Sequence, residues 1–358
     1  MKTTNDVFTP RALTPDYSIP PVIIGGWQLA TGHALGQAVD YANAKKAFET
    51  LLDAGLNTFD GADIYTGVEA FYGEIVRERR RAGKTIPQIH TKFVPDLKDL
   101  AHIDRAYVER IITRSLERLG VERLDLVQMH WWDYGVPGMI DVAGELVRLQ
   151  EKGLIRSIGT TNMNAVALTA LCEAGIPIVS NQCQYSLLDR RPAKALEAVA
   201  EQYGVKLLAY GSVAGGFLSE KWVGRLRPDV STLENRSLVK YALVIEDSLR
   251  WEAFQGLLAL MAEIAEKAGI GIASVATQYT LSRRGVAAAI VGTRSDRHVE
   301  ALLTMMTHPV PAEDLARLHA YVSAFPTLDA DCFDLERLVG SKHREIMRMN
   351  LVDSKDGH

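Results

Sequence analysis

The chain has 358 residues, of which 47% are hydrophobic, and its formal net charge is −4 at pH 7. The length and the apolar content suffice for a buried core, and the charge gives no electrostatic reason to expect nucleic acid or an anionic membrane as a partner. The three cysteines lack metal-ligand or Cys-x-x-Cys spacing, and no apolar run resembles a signal-peptide core or a membrane span. These features predict a cytoplasmic protein without a metal site.

Short β-branched runs of strand length alternate along the chain with windows of amphipathic helical periodicity. The glycines that follow these windows, such as Gly55, Gly120 and Gly153, are typical of helix carboxyl termini. Strands are predicted at 22–26, 57–60, 88–93, 124–130, 157–160, 178–182, 206–210 and 288–292, and helices at 41–54, 68–81, 104–119, 138–151, 165–174 and 192–203.

Eight strands joined by helical crossovers predict an α/β fold, the (β/α)8 TIM barrel, over residues 21–325. Residues 1–20 are predicted to form an N-terminal arm, and residues 326–358 a C-terminal extension. After the seventh strand the alternation stops, and a long glycine-containing connection runs from Tyr210 to Trp251. Because a connection of this length is uncommon without a function, we predict that it clamps a cofactor.

Four polar side chains, Asp60, Tyr65, Lys92 and His130, lie at or just beyond the ends of three predicted strands. Since parallel barrel strands end at one rim, we expect the four side chains to gather there. A phenol with a pKa of about 10 is a weak acid at neutral pH, and a nearby ammonium group lowers that pKa. We therefore predict that Tyr65 is a general acid tuned by Lys92 and Asp60, and that His130 binds the same substrate oxygen.

The order and spacing of these residues resemble the catalytic tetrad of the aldo-keto reductases, and the resemblance runs from about Val22 to the helix after Arg294. It implies an NADPH-dependent enzyme that transfers hydride to an aldehyde or a ketone. The alternative from another class is a nucleotide-sensing regulatory subunit, similar to the potassium-channel β subunits that resemble reductases. Those subunits have asparagine in place of the histidine, so His130 favours the enzyme.

No Gly-x-Gly-x-x-Gly motif follows a strand and opens a helix, so the sequence lacks a Rossmann nucleotide site. The resemblance implies instead a nicotinamide nucleotide extended across the barrel top. It places the carboxamide at Thr161 and Asn162, the nicotinamide ring on Tyr210 and a phosphate at Lys221. The cofactor contacts that it implies are Gly26, Trp27, Asp60, Thr161, Asn162, Gln182, Tyr210, Gly211, Ser212, Val213, Lys221, Arg236, Gly292, Arg294 and His298.

Beyond the last strand, Arg294 and His298 lie where the resemblance implies recognition of the adenosine 2′-phosphate. The usual Lys or Ser, Arg or Gln, and Glu-Asn of the family are replaced by Gly292, His298 and Ala301-Leu302. This departure leaves fewer residues for contacts with adenine. A guanidinium suits a dianionic phosphate better than a ribose hydroxyl, so NADPH is favoured over NADH.

Aromatic residues are concentrated near the predicted site, with Trp27 after the first strand and Trp131 and Trp132 directly after His130. The predicted substrate contacts are Trp27, Tyr65, His130, Trp131 and Trp132, although Trp132 has the alternative of plugging the barrel end. Such a pocket suits a bulky ketone, for example a 3-keto-trichothecene, which some similar bacterial enzymes reduce. The alternative substrate is a sugar-derived or small aldehyde. A small-molecule carbonyl is the expected partner, and the protein is expected to be a monomer or a weak homo-oligomer.

Overall fold

Eight parallel strands close into a barrel in the computed structural model, which describes residues 8–31 and 39–349. The strands follow their chain order around the barrel, and the last one pairs with the first. This arrangement confirms the predicted TIM barrel. With an N-terminal pair included, the strands are β1 (Arg11–Thr14), β2 (Tyr17–Ile19), β3 (Val22–Gly25), β4 (Thr58–Asp60), β5 (Gln88–Phe93), β6 (Leu124–Met129), β7 (Ile155–Thr161), β8 (Ile178–Gln184), β9 (Lys206–Tyr210) and β10 (Val286–Gly292).

Helices surround the barrel, and their ends follow from local chemistry. The side chains of Asp104 and Asn164 accept hydrogen bonds from backbone N–H groups at two helix starts, and Gly120 ends one helix in the left-handed conformation at φ 65°. No helix within the described ranges is long and apolar enough to cross a membrane. The helices are α1 (Tyr41–Asp53), α2 (Val68–Arg81), α3 (Arg105–Leu119), α4 (Met139–Glu151), α5 (Ala165–Glu173), α6 (Leu196–Gln202), α7 (Arg236–Asp247), α8 (Arg250–Ala268), α9 (Ile272–Leu281), α10 (Val299–Met305), α11 (Ala312–Ser323), α12 (Asp334–Arg337) and α13 (Lys342–Glu345).

The strands β1 and β2 form an antiparallel hairpin that the sequence analysis did not predict. The hairpin covers the amino-terminal end of the barrel, where Leu13 and Tyr17 join a buried cluster with residues of several barrel strands. The Tyr17 hydroxyl lies 2.8 Å from Nε2 of the buried His90 on β5. This plug closes one end of the barrel, so small molecules have access from the opposite end.

The connection from β9 to α8 is not a plain loop, because it contains the twelve-residue helix α7. Buried residues of α7, including Leu238 and Val244, pack with α8 and α9 into a second hydrophobic cluster beside the barrel. The predicted long connection is therefore a packed side wall that contains a helix, and the first residue of this helix, Arg236, reaches the barrel mouth. This helix positions cationic side chains at the site.

The chain beyond α11 returns to the barrel mouth as α12, α13 and the residues up to 349. The Arg337 guanidinium donates to the carbonyl oxygens of Trp131 and Asn162, which lie just beyond β6 and β7. These bonds anchor the described part of the predicted C-terminal extension on the rim where the strands end. Residues 1–7 of the predicted arm and residues 350–358 of the extension lie outside the described residues.

Candidate active site

A cavity of about 610 Å³ opens at the carboxyl ends of the barrel strands. Each of the eight strands contributes its last residues, or the residue just after it, to the cavity wall. Asp60, Tyr65, Lys92 and His130 all line this cavity, as expected if strand ends share one rim. The structure thus brings together the four residues that the sequence singled out.

Lys92 links the other members of this group. Its Nζ donates to Oδ2 of Asp60 at 2.7 Å and to the Gly61 carbonyl oxygen at 2.7 Å, and it lies 4.8 Å from the centroid of the Tyr65 ring. The Lys92 and Asp60 side chains are both buried. A buried ammonium must be paired, and Asp60 supplies that charge while leaving the cation beside the phenol.

The pKa of Tyr65 departs from the expectation that Lys92 lowers it. Burial raises the pKa of Tyr65 above its ordinary value of 10.0, and the positive charge of Lys92 acts against that effect without overcoming it. Lys92 itself remains charged, since its attraction to Asp60 and Tyr65 outweighs its burial and raises its pKa. Tyr65 is therefore a protonated phenol at neutral pH, which is the form that can donate a proton.

Two glutamines hold the second oxygen of Asp60. The Nε2 groups of Gln128 and Gln182 lie 3.1 Å and 2.6 Å from Oδ1 of Asp60, and Gln182 also donates to Oε1 of Gln128 at 2.9 Å. Gln182, predicted as a cofactor contact, thus has its amide N–H groups engaged with Asp60 and Gln128, although it still lines the cavity. Gln128 was not predicted as a site residue, although its inward position follows from its place two residues before His130.

His130 is neutral and has a defined tautomer. Burial, and then the positive charge of Arg337, lower the pKa of His130 from 6.5 to about 3. Its Nδ1 lies 3.1 Å from the Thr161 carbonyl oxygen, and because a carbonyl only accepts, Nδ1 carries the proton. The buried Nε2, which has no hydrogen-bond partner in the described structure, is then an acceptor. An acceptor nitrogen can bind an alcohol hydroxyl but not a ketone oxygen. The prediction that His130 binds the substrate oxygen is therefore revised to a hydrogen bond with the hydroxyl of the alcohol product.

Several predicted cofactor residues border the cavity next to this group. The Tyr210 hydroxyl donates to Oδ1 of Asn162 at 2.9 Å, which orients the amide and leaves its N–H groups available. Arg236 also lines the cavity, and its buried Nε has no acceptor in the described structure. An aromatic face, an oriented amide and an unsatisfied guanidinium fit a nicotinamide nucleotide. The predicted contacts Trp27, Thr161, Gly211, Val213 and Gly292 line the same cavity.

Two predicted cofactor contacts, Gly26 and Ser212, do not line the cavity. A Cβ atom at Gly26 would clash with the Tyr72 hydroxyl, which donates to the Asp60 carbonyl oxygen at 2.9 Å. Gly26 is therefore required for packing behind the site. Ser212 is buried with its hydroxyl 3.5 Å from that of Thr277, so its side chain faces the helix layer.

The predicted phosphate contacts Lys221, Arg294 and His298 also lie outside the cavity wall, on the exposed surface. Lys221 donates to Glu234 at 2.8 Å. This hydrogen bond is the main cause of the lowered pKa of Glu234, to which the charge of Arg294 adds. Glu234 is thus bonded to one predicted phosphate-binding cation and feels the charge of another, which was not predicted from the sequence.

The three predicted substrate tryptophans separate into two groups. Trp27, 37% exposed, lines the cavity with its ring centroid 4.9 Å from that of Tyr65, and Trp132 lines it with its ring edge-on to His130 at 4.2 Å. Trp131 is 0% exposed and outside the cavity wall, and its Nε1 donates to the Val136 carbonyl oxygen at 3.1 Å. The structure therefore contradicts a direct substrate contact for Trp131, which supports the rim.

The C-terminal segment adds residues to the cavity that were not predicted from the sequence. Phe333 lies in the left-handed region at φ 61°, which is unusual for an aromatic residue and is compensated by its contacts. Its ring packs edge-on against His130 at 5.6 Å, and Ile346, Met347 and Arg348 extend the same wall. These residues carry no sequence motif, and only the path of the chain brings them to the site.

The sequence matches the aldo/keto reductase family over residues 21–322. It is 27% identical over 310 residues to the chloroplastic pyridoxal reductase of Arabidopsis thaliana, a match that covers 79% of this chain and 78% of that protein. It is 24% identical over 318 residues to the L-glyceraldehyde 3-phosphate reductase of Escherichia coli O157:H7, covering 85% of this chain and 89% of that protein.

Solved structures with the same fold include a glycerol dehydrogenase of Gluconobacter oxydans, with a TM-score of 0.74 and 23% identity over 91% of this chain and 98% of that one. A thermostable aldo-keto reductase bound to the inhibitor epalrestat has a TM-score of 0.68 and 21% identity, covering 87% of this chain and 99% of that one. The chain belongs to the aldo-keto reductase family, whose members reduce carbonyl groups with a nicotinamide cofactor.

Proposed function

We propose that the protein is an NADPH-dependent carbonyl reductase in which Tyr65 protonates the substrate oxygen. The observation that carries this proposal is the position of Lys92, paired with Asp60 at 2.7 Å and 4.8 Å from the centre of the Tyr65 ring. A cation held there stabilises the phenolate that remains after the proton has left. A solely structural ion pair would not require a neighbouring phenol inside an open cavity.

A bound reduced nicotinamide supplies the hydride that the carbonyl carbon accepts. Tyr65 donates its proton to the developing alkoxide, and Lys92 stabilises the resulting phenolate. Asp60, held by Gln128 and Gln182, keeps Lys92 in place. The Nε2 atom of His130 accepts a hydrogen bond from the new alcohol, a bond that a ketone oxygen cannot donate. The product alcohol has a single O–H, so it donates either to Nε2 of His130 or back to the Tyr65 phenolate, and not to both.

The proposal is tested by mixing the purified protein with NADPH and a panel of aldehydes and ketones. The absorbance of the reduced nicotinamide should decrease only when a carbonyl compound is present, and the corresponding alcohol should accumulate. A protein that binds NADPH but turns over no carbonyl compound in the panel would instead support the nucleotide-sensing alternative.

We propose that Arg294 gives the preference for NADPH by contacting the 2′-phosphate. We expect Arg294→Ala to raise the Michaelis constant for NADPH by about tenfold and to leave that for NADH nearly unchanged, because only NADPH carries the extra charge. Steady-state kinetics with both cofactors measures this. The control is Arg297→Ala, since this exposed arginine in the turn after Arg294 carries the same charge. An equal loss with both cofactors would place Arg294 away from the 2′-phosphate.

The substrate is proposed to be a bulky ketone such as a 3-keto-trichothecene, because Trp27, Trp132 and Phe333 present large apolar faces to the cavity. The names of the pyridoxal and L-glyceraldehyde 3-phosphate reductases favour a second candidate, a smaller polar aldehyde. The two candidates differ in the apolar area that they bury, and so in how strongly they depend on these rings.

Replacement of Trp27 by alanine separates the two candidates. Loss of its indole face should raise the Michaelis constant of a polycyclic ketone by about tenfold, since about 25 cal/mol is lost per Å² of apolar contact. A small aldehyde never makes that contact and should be little affected. Trp27→Phe, which retains a ring beside Tyr65, should restore much of the ketone affinity. If both substrates lost turnover equally, Trp27 would act by positioning Tyr65.

A further inference from the structure

The segment 341–349, here named the C-terminal strap, crosses the mouth of the cavity and is attached on both sides. Near its start, Lys342 and His343 contact the carboxylate of Asp247, the last residue of α7, at 2.6 Å and 2.8 Å. At its end, the Met349 carbonyl oxygen accepts a hydrogen bond at 2.7 Å from the backbone N–H of Leu97, which follows β5. The strap therefore spans the opening from α7 to the far rim.

The middle of the strap contributes Ile346, Met347 and Arg348 to the cavity wall. Arg348 shares this cavity with Arg236, the first residue of α7, and the two guanidinium groups are close enough to interact. Burial, and then the positive charge of Arg348, lower the pKa of Arg236. Neither arginine has a carboxylate partner within the described ranges, and Nε of Arg236 is buried without an acceptor.

Two cations that face one space repel each other, and a buried donor without an acceptor is unfavourable. Such an arrangement is expected where an anion completes the site, since guanidinium groups bind phosphate with two parallel hydrogen bonds. Arg236 also stands at the amino terminus of a twelve-residue helix, where free N–H groups favour negative charge. Ser237, the next residue of that helix, lines the same cavity.

Other nearby cations are already paired. Lys240, one turn along α7, lies 3.7 Å from the buried Glu336, and Lys221 is bonded to Glu234 on the surface. Arg236 and Arg348 thus add positive charge that has no carboxylate partner among the described residues to the cavity that Gly211 and Tyr210 also line. The substrate region around Tyr65 has apolar walls instead. A dinucleotide that extends from Tyr210 would bring its diphosphate to the arginines.

We propose that the C-terminal strap closes over the bound dinucleotide, with Arg348 and Arg236 holding its diphosphate from two sides. This inference rests on the proposed use of a nicotinamide dinucleotide. In this proposal Arg348 and Arg236 bind the diphosphate, a role for which Lys221 was predicted from the sequence. The strap must open for the cofactor to leave, so Arg348 slows release of the cofactor.

The test is equilibrium binding of NADPH and NADH, followed by quenching of tryptophan fluorescence, in the wild type and in Arg348→Ala. Because both cofactors contain the diphosphate, the dissociation constants of both should rise by about tenfold. Stopped-flow displacement should show faster release. Arg227→Ala removes the same charge from a surface pair with Glu246, at 3.0 Å, and should leave both constants unchanged.

The possible results separate this inference from the proposed function. If Arg348→Ala bound both cofactors as tightly as the wild type does, the proposed role of the strap would be wrong. A loss of affinity for NADPH alone would place the contact of Arg348 at the 2′-phosphate and would also overturn the proposal. A wild type that bound neither dinucleotide would refute the proposed function itself, and this inference with it. Arg236→Ala should raise the dissociation constants of both cofactors, as Arg348→Ala does. In the double variant the dissociation constants should rise by less than the product of the two single increases, because the two arginines bind the same group.

Discussion

Tyr65→Phe should lower the rate of carbonyl reduction by about 10²–10⁴-fold, which is the usual contribution of a positioned general acid. The phenylalanine ring retains the packing against Trp27, whose centroid lies 4.9 Å from that of Tyr65, and the contact with Lys92. Only the proton donor is lost. Single-turnover reduction with saturating NADPH measures the chemical step, and fluorescence titration should show nearly unchanged cofactor binding.

The control for this variant is Tyr203→Phe, which removes a hydroxyl that lies 3.4 Å from the carboxylate of the exposed Glu173. It should reduce carbonyl compounds at the wild-type rate. If Tyr65→Phe retained more than about a tenth of wild-type turnover, another group or water would be the proton donor, and the assignment of Tyr65 would be wrong.

The pH dependence follows from the raised pKa of Tyr65. Since burial raises that pKa above 10.0, the phenol stays protonated from neutral to mildly alkaline pH, and the wild-type rate of reduction should be flat there. Alcohol oxidation needs the phenolate and should accelerate with rising pH over the same range. The pKa of His130, lowered to about 3, adds no ionisation in this window.

The barrel and the gathering of Asp60, Tyr65, Lys92 and His130 could be predicted because local patterns determine them. Apolar runs bounded by helix-ending glycines locate the strands, and in a parallel barrel the strand ends share one rim. The predicted ends of the eight strands therefore agree with the structure to within about two residues. The hairpin of β1 and β2 was missed because both strands are short and Pro15 interrupts the pattern.

Side-chain direction beyond a strand end could not be predicted. Trp131 and Trp132 are adjacent in sequence, but Trp131 faces the packing behind the rim, whereas Trp132 faces the cavity. The alternation of a strand stops at its last residue, so nothing local decides which ring meets the substrate. The predicted phosphate contact of Lys221 has a related difficulty. The position of Lys221 depends on the path of the β9–α8 connection, which is determined by how α7 packs.

The contribution of the C-terminal segment could not be predicted either, since it depends on contacts far apart in sequence. Phe333 and Arg348 reach the cavity because Glu336 is anchored to Arg191, a pair separated by 145 positions. Neither residue belongs to a periodic pattern or motif. An ion pair between residues so far apart in the sequence cannot be predicted from local sequence patterns.

Arg191→Met should lower the free energy of unfolding by about 3–5 kcal/mol, because it leaves buried carboxylates without their cation. Arg191 is 1% exposed and bonds Asp189 at 2.7 Å and Glu336 at 2.9 Å. Lys240, 3.7 Å from Glu336, can compensate only one of the two charges. Chemical denaturation followed by circular dichroism measures the loss. Arg105→Met, at a pair whose arginine side chain is 63% exposed, should cost less than about 1 kcal/mol.

The acid dependence gives this prediction a second readout. Burial alone would raise the pKa of Glu336, but the charge of Arg191 and the hydrogen bonds from it lower that pKa to about 2. The folded pKa lies below the unfolded value of about 4.3, so the wild type should lose stability as pH falls from there towards 2. Without Arg191 the folded pKa rises, and the variant should lose stability as pH increases above about 4.3. Because Glu336 anchors the C-terminal segment, the variant should also bind NADPH more weakly. Unchanged stability and cofactor affinity would show that the segment is held by Arg337 and the apolar contacts of Phe333 alone.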